Sequence, residues 1–202
     1  MNPLARGLLI AIAGFALLLA AWLFIQSRRS QPPVESSAAT MASVPIGGPF
    51  QLVDGSGQAV TDEAFRGKLM MVYFGYTQCP DLCPTTLDKM AGALKGIGTL
   101  ADRVAPIFIT VDPKRDTPAV MRDYVKAFDP RIIGLTGTSD QIAAAAKAYR
   151  VFYDASGPND ELLDHSSFIY FMGADGKFAG FLSPDKTPDD IAAKIRELLG
   201  KA

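Results

Sequence analysis

Lys68-Leu69-Met70-Met71-Val72-Tyr73-Phe74-Gly75-Tyr76-Thr77-Gln78-Cys79-Pro80-Asp81-Leu82-Cys83-Pro84 is the stretch that decides the architecture. Its first half is a nearly continuous apolar run with β-branched and aromatic residues. A run of that length and content reads as a strand buried on both faces. The second half is a short polar loop with two prolines. Beyond it Leu87, Met90, Ala91 and Leu94 recur at helical spacing. Strand, loop and helix in that order make the start of an α/β unit, and the loop lies at the carboxyl end of the strand. In open α/β sheets that edge is where ligands bind.

Working outward, Val104 to Val111 is a second buried strand, centred on Ile107, Phe108 and Ile109. Thr117 followed by Pro118 gives an N-cap with proline at the first helical position. The helix it opens carries Val120, Tyr124, Val125 and Phe128. A short strand is expected near Ile132 to Leu135, and Ser139 is placed to cap a third helix reaching Ala148. Ser167 to Met172 reads as a strand, Ala174-Asp175-Gly176-Lys177 as a turn, and Phe178 to Leu182 as its antiparallel return. Thr187-Pro188-Asp189-Asp190 opens a last helix with a cap, a proline and two acids suited to a helix N-terminus. On the amino-terminal side, Phe50, Leu52, Val60 and Phe65 mark a strand, a turn at Asp54-Gly55-Ser56-Gly57 and a return. Alternating strands and helices closed by a hairpin and a helix fit a thioredoxin-like α/β fold, a central mixed sheet flanked by helices.

The first residues have another character. From Gly7 to Ile25 no residue is charged. At about 1.5 Å per residue the run reaches roughly 28 Å, near the thickness of a bilayer core. Trp22, Leu23, Phe24 and Ile25 extend it where a signal peptide would offer a small-residue cleavage site, which favours an uncleaved transmembrane anchor. Residues 1–29 are therefore expected to be an anchor, 30–47 a flexible tether rich in Ser, Ala, Pro and Gly, and 48–202 the folded domain. The whole chain has a formal charge of −1, and the part beyond the tether about −3. No Lys/Arg cluster stands out, which argues against nucleic-acid binding.

The chain has two cysteines, Cys79 and Cys83, and one histidine, His165. Two nearby thiolates form a disulfide or hold a soft metal. Pro84 suits the first turn of a helix and would place Cys83 at the N-cap, where the helix dipole favours thiolate. The Cys-x-x-x-Cys spacing is one residue longer than the thioredoxin redox motif, and its two prolines stiffen the loop. His165 is expected to open a strand antiparallel to the central ones, which brings it to the edge that carries the cysteines. Two thiolates and one imidazole make a three-coordinate soft site suited to Cu(I). Zinc would want a fourth ligand. Asp112, Asp116 and Asp164 are candidates to support that site or face a partner, with loop solvation and capping the alternative. Met70 and Met71 lie inside the buried strand and are expected in the core.

These residues resemble the Sco/SenC family. The resemblance rests on Gly75-Tyr76-Thr77-Gln78-Cys79-Pro80-Asp81-Leu82-Cys83-Pro84, on Val111-Asp112-Pro113-Lys114-Arg115-Asp116-Thr117-Pro118 and on Asp164-His165-Ser166-Ser167, in that order. It covers roughly Gly48 to the C-terminus. It implies a thioredoxin-like domain facing the bacterial periplasm or the mitochondrial intermembrane space. The short chain, without a long Arg/Ser-rich presequence, favours the bacterial inner membrane, crossed once. It implies copper, as Cu(I) with Cu(II) a further candidate, bound by Cys79, Cys83 and His165 and serving the dinuclear CuA site of cytochrome c oxidase. The partners implied are the copper-receiving oxidase subunit, an upstream copper donor and a thiol reductant. The competing reading is a thiol–disulfide oxidoreductase with Cys79 and Cys83 as the redox pair. Thioredoxin-like reductases place a cis-proline before the equivalent of the Ser167 strand. Here that place holds Asp164-His165-Ser166, which favours metal. A peroxiredoxin-type peroxidase would leave the histidine without a role.

Overall fold

In the computed structural model, residues 46–154 and 164–200 are described, together with 19, 22 and 23. For 154, 164 and 165 the description is of the backbone alone. The expected anchor over residues 1–29 lies outside the described residues apart from those three, as does most of the tether. Among the described residues no helix is long and apolar enough to cross a membrane. The chain divides into two units, Met1–Val44 and Pro45–Ala202. The fold below is that of the second.

The apolar run becomes a strand because both its faces can be covered. The elements in chain order are β1 (Gln51–Asp54), β2 (Ala59–Thr61), β3 (Leu69–Gly75), α1 (Leu82–Gly96), β4 (Val104–Thr110), α2 (Pro118–Lys126), β5 (Ile133–Thr136), α3 (Ser139–Ala148), β6 (Tyr153–Asp154), β7 (Asp164–His165), β8 (Ile169–Met172), β9 (Phe178–Leu182) and α4 (Pro188–Gly200). Short 3-10 turns occupy Asp62–Phe65 and Gly98–Arg103. Seven strands form one mixed sheet in the order β2-β1-β5-β4-β3-β8-β9. β3, β4 and β5 are parallel, while β1, β8 and β9 join antiparallel. The thioredoxin-like expectation holds: a central sheet flanked by helices.

Every residue of β3 and β4 is buried, as a strand covered by helices on both sides requires. Tyr73 and Phe108 stack on one face, with centroids 5.9 Å apart, and meet α1 and α2 through Cys83 and Tyr124. α4 packs against α1 on that same face. Phe74 and Tyr170 point the other way and meet Tyr149 at the end of α3. Burying a large apolar side chain contributes about 1.5–3 kcal/mol, and this two-sided sheet carries most of that weight. Met70 and Met71 are 1% and 0% exposed and belong to this core.

Three local expectations change. The cap of α3 is Thr138, whose hydroxyl accepts from Gln141 N–H while the Gln141 side chain returns to the Thr138 N–H. That reciprocal box satisfies two end donors where Ser139 could satisfy one. The strand expected from Ser167 begins only at Ile169. His165 does not open it: His165 pairs with Tyr153 in a separate two-stranded ribbon, β6–β7. The third change concerns Cys83 and belongs to the site.

Candidate metal centre

Along β3, Tyr73 and Gly75 alternate onto the face that α1 crosses, and they shape a slot for one sulfur. Tyr73 Oη donates to Cys83 Sγ at 3.6 Å. A Cβ built on Gly75 would stand 2.7 Å from that sulfur and 2.8 Å from Phe108 Cε2. Glycine is required here by close approach, since no other residue leaves the room. Cys83 is wholly buried as a result. Burial pushes its thiol up to about 12, against a smaller opposing effect from the Tyr76 backbone. Burial also raises Tyr73 well above the ordinary tyrosine value, which keeps its hydroxyl a donor.

The helix starts two residues earlier than Pro84 suggests. Its N-cap is Asp81, whose side chain makes no capping bond. Cys83 therefore sits inside the first turn, where its side chain turns into the core, and desolvation outweighs the helix dipole. Cys79 takes over part of the capping: its Sγ accepts the Cys83 N–H at 3.3 Å. The sulfur at the helix N-terminus is thus that of Cys79, which is partly exposed, and the buried one is that of Cys83. Both residues are thiols, with no disulfide between them.

Asp116 is the anchor of the cysteine loop. It is fully buried and accepts three hydrogen bonds: from Thr77 N at 3.0 Å, from Thr77 Oγ1 at 2.5 Å and from Thr110 Oγ1 at 2.6 Å. The loop after β3 is thereby tied to the end of β4. Asp112 is nearly buried and forms an ion pair with Arg115. The Arg115 guanidinium in turn approaches Gln78 Oε1 at 3.5 Å, beside Cys79. Both aspartates act from behind the loop. Sequence reading picked out the acids but missed their partners Thr77, Thr110 and Arg115, and it missed Tyr73. The period-2 alternation that puts Tyr73 on the face of Gly75 was the available signal.

The β6–β7 ribbon fixes the backbone of His165. Phe152 N–H donates to Ser166 Oγ at 3.1 Å, and Ser166 N–H donates to Phe152 O at 2.9 Å. The chain enters the ribbon through Arg150, held in the left-handed region at φ 57°. There Val151 N–H returns to Ala146 O at 2.8 Å and Arg150 N–H to Lys147 O at 3.2 Å. This is a Schellman closure of α3 with arginine where glycine is usual. The side chains of Asp164 and His165 lie outside the described residues. Among the described residues no three His, Cys, Asp or Glu side chains gather into a metal site. Two soft sulfur donors, one on the loop and one in the first turn of α1, do lie together, and they fit a thiophilic metal better than an oxygen-seeking one.

The sequence profile of the SCO1/SenC family matches residues 38–200. The chain belongs to the SCO1/SenC family. The SCO2-like protein of Rickettsia felis is 42% identical over 153 residues, which are 74% of this chain and 75% of that protein. The copper-bound structure of Bradyrhizobium japonicum ScoI is 44% identical, with a TM-score of 0.70, covering 76% of this chain and 99% of that one. A Sco protein with a disulfide switch, described as a member of the Sco family of cytochrome c oxidase assembly proteins, has a TM-score of 0.64. At 23% identity, covering 78% of this chain and 95% of that one, it speaks for the shared fold alone. Homologous Sco structures thus hold copper on the fold described above.

Proposed function

We propose that this SCO1/SenC protein is a copper chaperone for cytochrome c oxidase assembly, taking copper on Cys79, Cys83 and His165 and supporting maturation of the CuA site. The observation that carries this is the pairing of one partly exposed sulfur, on the loop at the carboxyl edge of β3, with one buried sulfur in the first turn of α1. A relative 44% identical to this chain has been solved with copper bound, and it supports the same reading. Cu(I) is the cargo. Two thiolates and an imidazole suit it, and three ligands leave an approach for an acceptor's thiolates. Cys79, at the surface, is the sulfur that a donor or acceptor meets first. Asp112 and Asp116 hold the loop, and Asp164 precedes the third ligand. The domain works outside the inner membrane, in the periplasm, on a single-pass anchor. A copper donor and a thiol reductant act upstream of it.

A second reading has one observation in its favour: the partly exposed sulfur and the buried one are arranged as an attacking and a resolving thiol. Cys79 thiolate would attack a disulfide of the acceptor, forming a mixed disulfide and releasing one acceptor thiolate. Cys83 would then displace the second acceptor thiol and leave a Cys79–Cys83 disulfide, two electrons having passed to the acceptor.

The test is a Cu(I) titration of the reduced domain against a competing chelator, beside His165→Ala. One-to-one binding is expected, weaker by about a hundredfold or more in the variant. Changes in groups that only support a ligand already cost about 10–100-fold. Binding indifferent to His165 would remove it from the ligand set, and absent binding in the wild type would leave the thiol-exchange reading. The anchor is checked in the same cells. Full-length chain should stay with carbonate-washed membranes, whereas a shortened soluble form would show a cleaved leader.

A further inference from the structure

The hydroxyl of Tyr73 is a polar atom in a wholly buried strand, and neither capping nor sheet pairing calls for it. Tyr73 is 0% exposed, and its neighbours on β3 are Val72 and Phe74. A phenylalanine would fill the same space and stack equally on Phe108, at the observed interplanar angle of 26°. The oxygen nonetheless points at Cys83 Sγ, 3.6 Å away, with the Thr86 hydroxyl of α1 as a second polar neighbour. Thr86 is itself fully buried and donates to Leu82 O at 2.8 Å. The Thr86 proton is thereby committed to the helix, and it is the tyrosine's own proton that faces Cys83 Sγ.

We infer that Tyr73 is a positioning residue for the metal-binding sulfur, its O–H bond setting the direction and electron density of Cys83 Sγ and so the strength of a copper–sulfur bond. The inference rests on the copper reading of the site. A sulfur that carries metal-thiolate charge accepts a hydrogen bond more strongly than a neutral thiol does. The bond is thus tightest when copper is held. Hydrogen bonds to a cysteine ligand draw density from the sulfur and are an established means of tuning copper–thiolate sites.

The experiment compares the wild type with Tyr73→Phe, which removes one oxygen and keeps the ring. In the variant, Cu(I) affinity should fall about fivefold, the equilibrium weight of one ordinary hydrogen bond. The sulfur-to-Cu(II) charge-transfer band of the Cu(II)-loaded protein should move to lower energy, because the sulfur is more electron-rich. A metal-free reading accompanies it. In a glutathione buffer, the two thiols lose two protons and two electrons to oxidised glutathione, closing the Cys79–Cys83 bond and releasing two glutathione thiols. Loss of the donor to the reduced sulfur should shift that equilibrium about threefold towards the disulfide, roughly 14 mV for two electrons. Phe108→Leu disturbs the same ring stack and keeps the hydroxyl, so it should leave the band in place.

Placing 4-aminophenylalanine at position 73 restores a donor and should restore the wild-type band, whereas 4-methylphenylalanine, of like size, should not. That pair carries the test if Tyr73→Phe does not fold. A folded Tyr73→Phe with unchanged affinity, band and glutathione equilibrium would overturn the inference and leave the copper reading standing. An equal band shift in Phe108→Leu would assign the effect to packing and overturn it too. If the wild type binds no copper, the copper reading fails. The glutathione equilibrium then decides alone: a shift supports Tyr73 as the positioning donor, and no shift overturns it.

Discussion

Asp116→Ala should cost the domain about 3–5 kcal/mol, measured as the change in midpoint and extrapolated stability in a urea titration. Hydrogen bonds to a charged group contribute about 1.5–3 kcal/mol each, and the cost of stranding their donors adds to the loss. Asp116 receives three, and the alanine leaves the Thr77 N–H and two hydroxyls facing an apolar void. Asp116→Asn should be milder, about 1–2 kcal/mol. Its carbonyl can still serve the position shared by Thr77 N–H and Thr110, and the Thr77 hydroxyl can rotate to accept from the amide. An alanine variant that loses less than about 1 kcal/mol would show that the loop is held by other means. The effect should also reach the site, because the tie ends two residues before Cys79.

Gly75→Ala is expected to destabilise by about 1–3 kcal/mol, the usual cost of overpacking a tight core. The new methyl would overlap both Cys83 Sγ, at 2.7 Å, and the Phe108 ring, at 2.8 Å. The backbone cannot easily retreat, since Gly75 O accepts the Val111 N–H at 2.8 Å and the residue is paired along β4. Cys83 has to move instead. A double-mutant cycle isolates this: in a Cys83→Ala background the penalty should shrink by at least half, leaving the clash with Phe108. An undiminished penalty would place the strain on the phenylalanine alone.

The architecture was legible because its decisive elements are long and one-sided in their demands. β3 and β4 are apolar but for the hydroxyls of Tyr73 and Thr110, and their residues have nowhere to go but a doubly covered sheet. Proline at position 118 after Thr117, and at 188 after Thr187, marked two helix starts within a residue. What escaped reading was set by tertiary contact. Pro84 suits the first position of a helix, yet α1 begins two residues before it, because the Cys79 sulfur supplies the acceptor that a capping side chain would have given. The ribbon that carries His165 is two residues long on each side, too short to leave a periodic signal. The sequence reading brought the histidine to the cysteine edge by letting it open the antiparallel strand, and that strand forms only from Ile169. The aspartates were recognisable as unusual, but only the folded chain shows Asp116 as a tie inside the domain and Asp112 as the partner of Arg115.

The sulfur of Cys79 has two claimants. It completes the first turn of α1 by accepting an amide proton, and it offers the same lone pairs to whatever enters from solvent. On the copper reading proposed above, a cargo held by Cys79 shares that sulfur with the helix, and the two interactions are coupled by thermodynamic linkage. A metal-bound thiolate accepts an N–H bond more strongly than a thiol does, so the first turn of α1 tightens as cargo is taken and loosens as it leaves. With one such bond worth about 1 kcal/mol, the coupling is at most a factor near five. The start of a helix then registers whether the carrier is loaded.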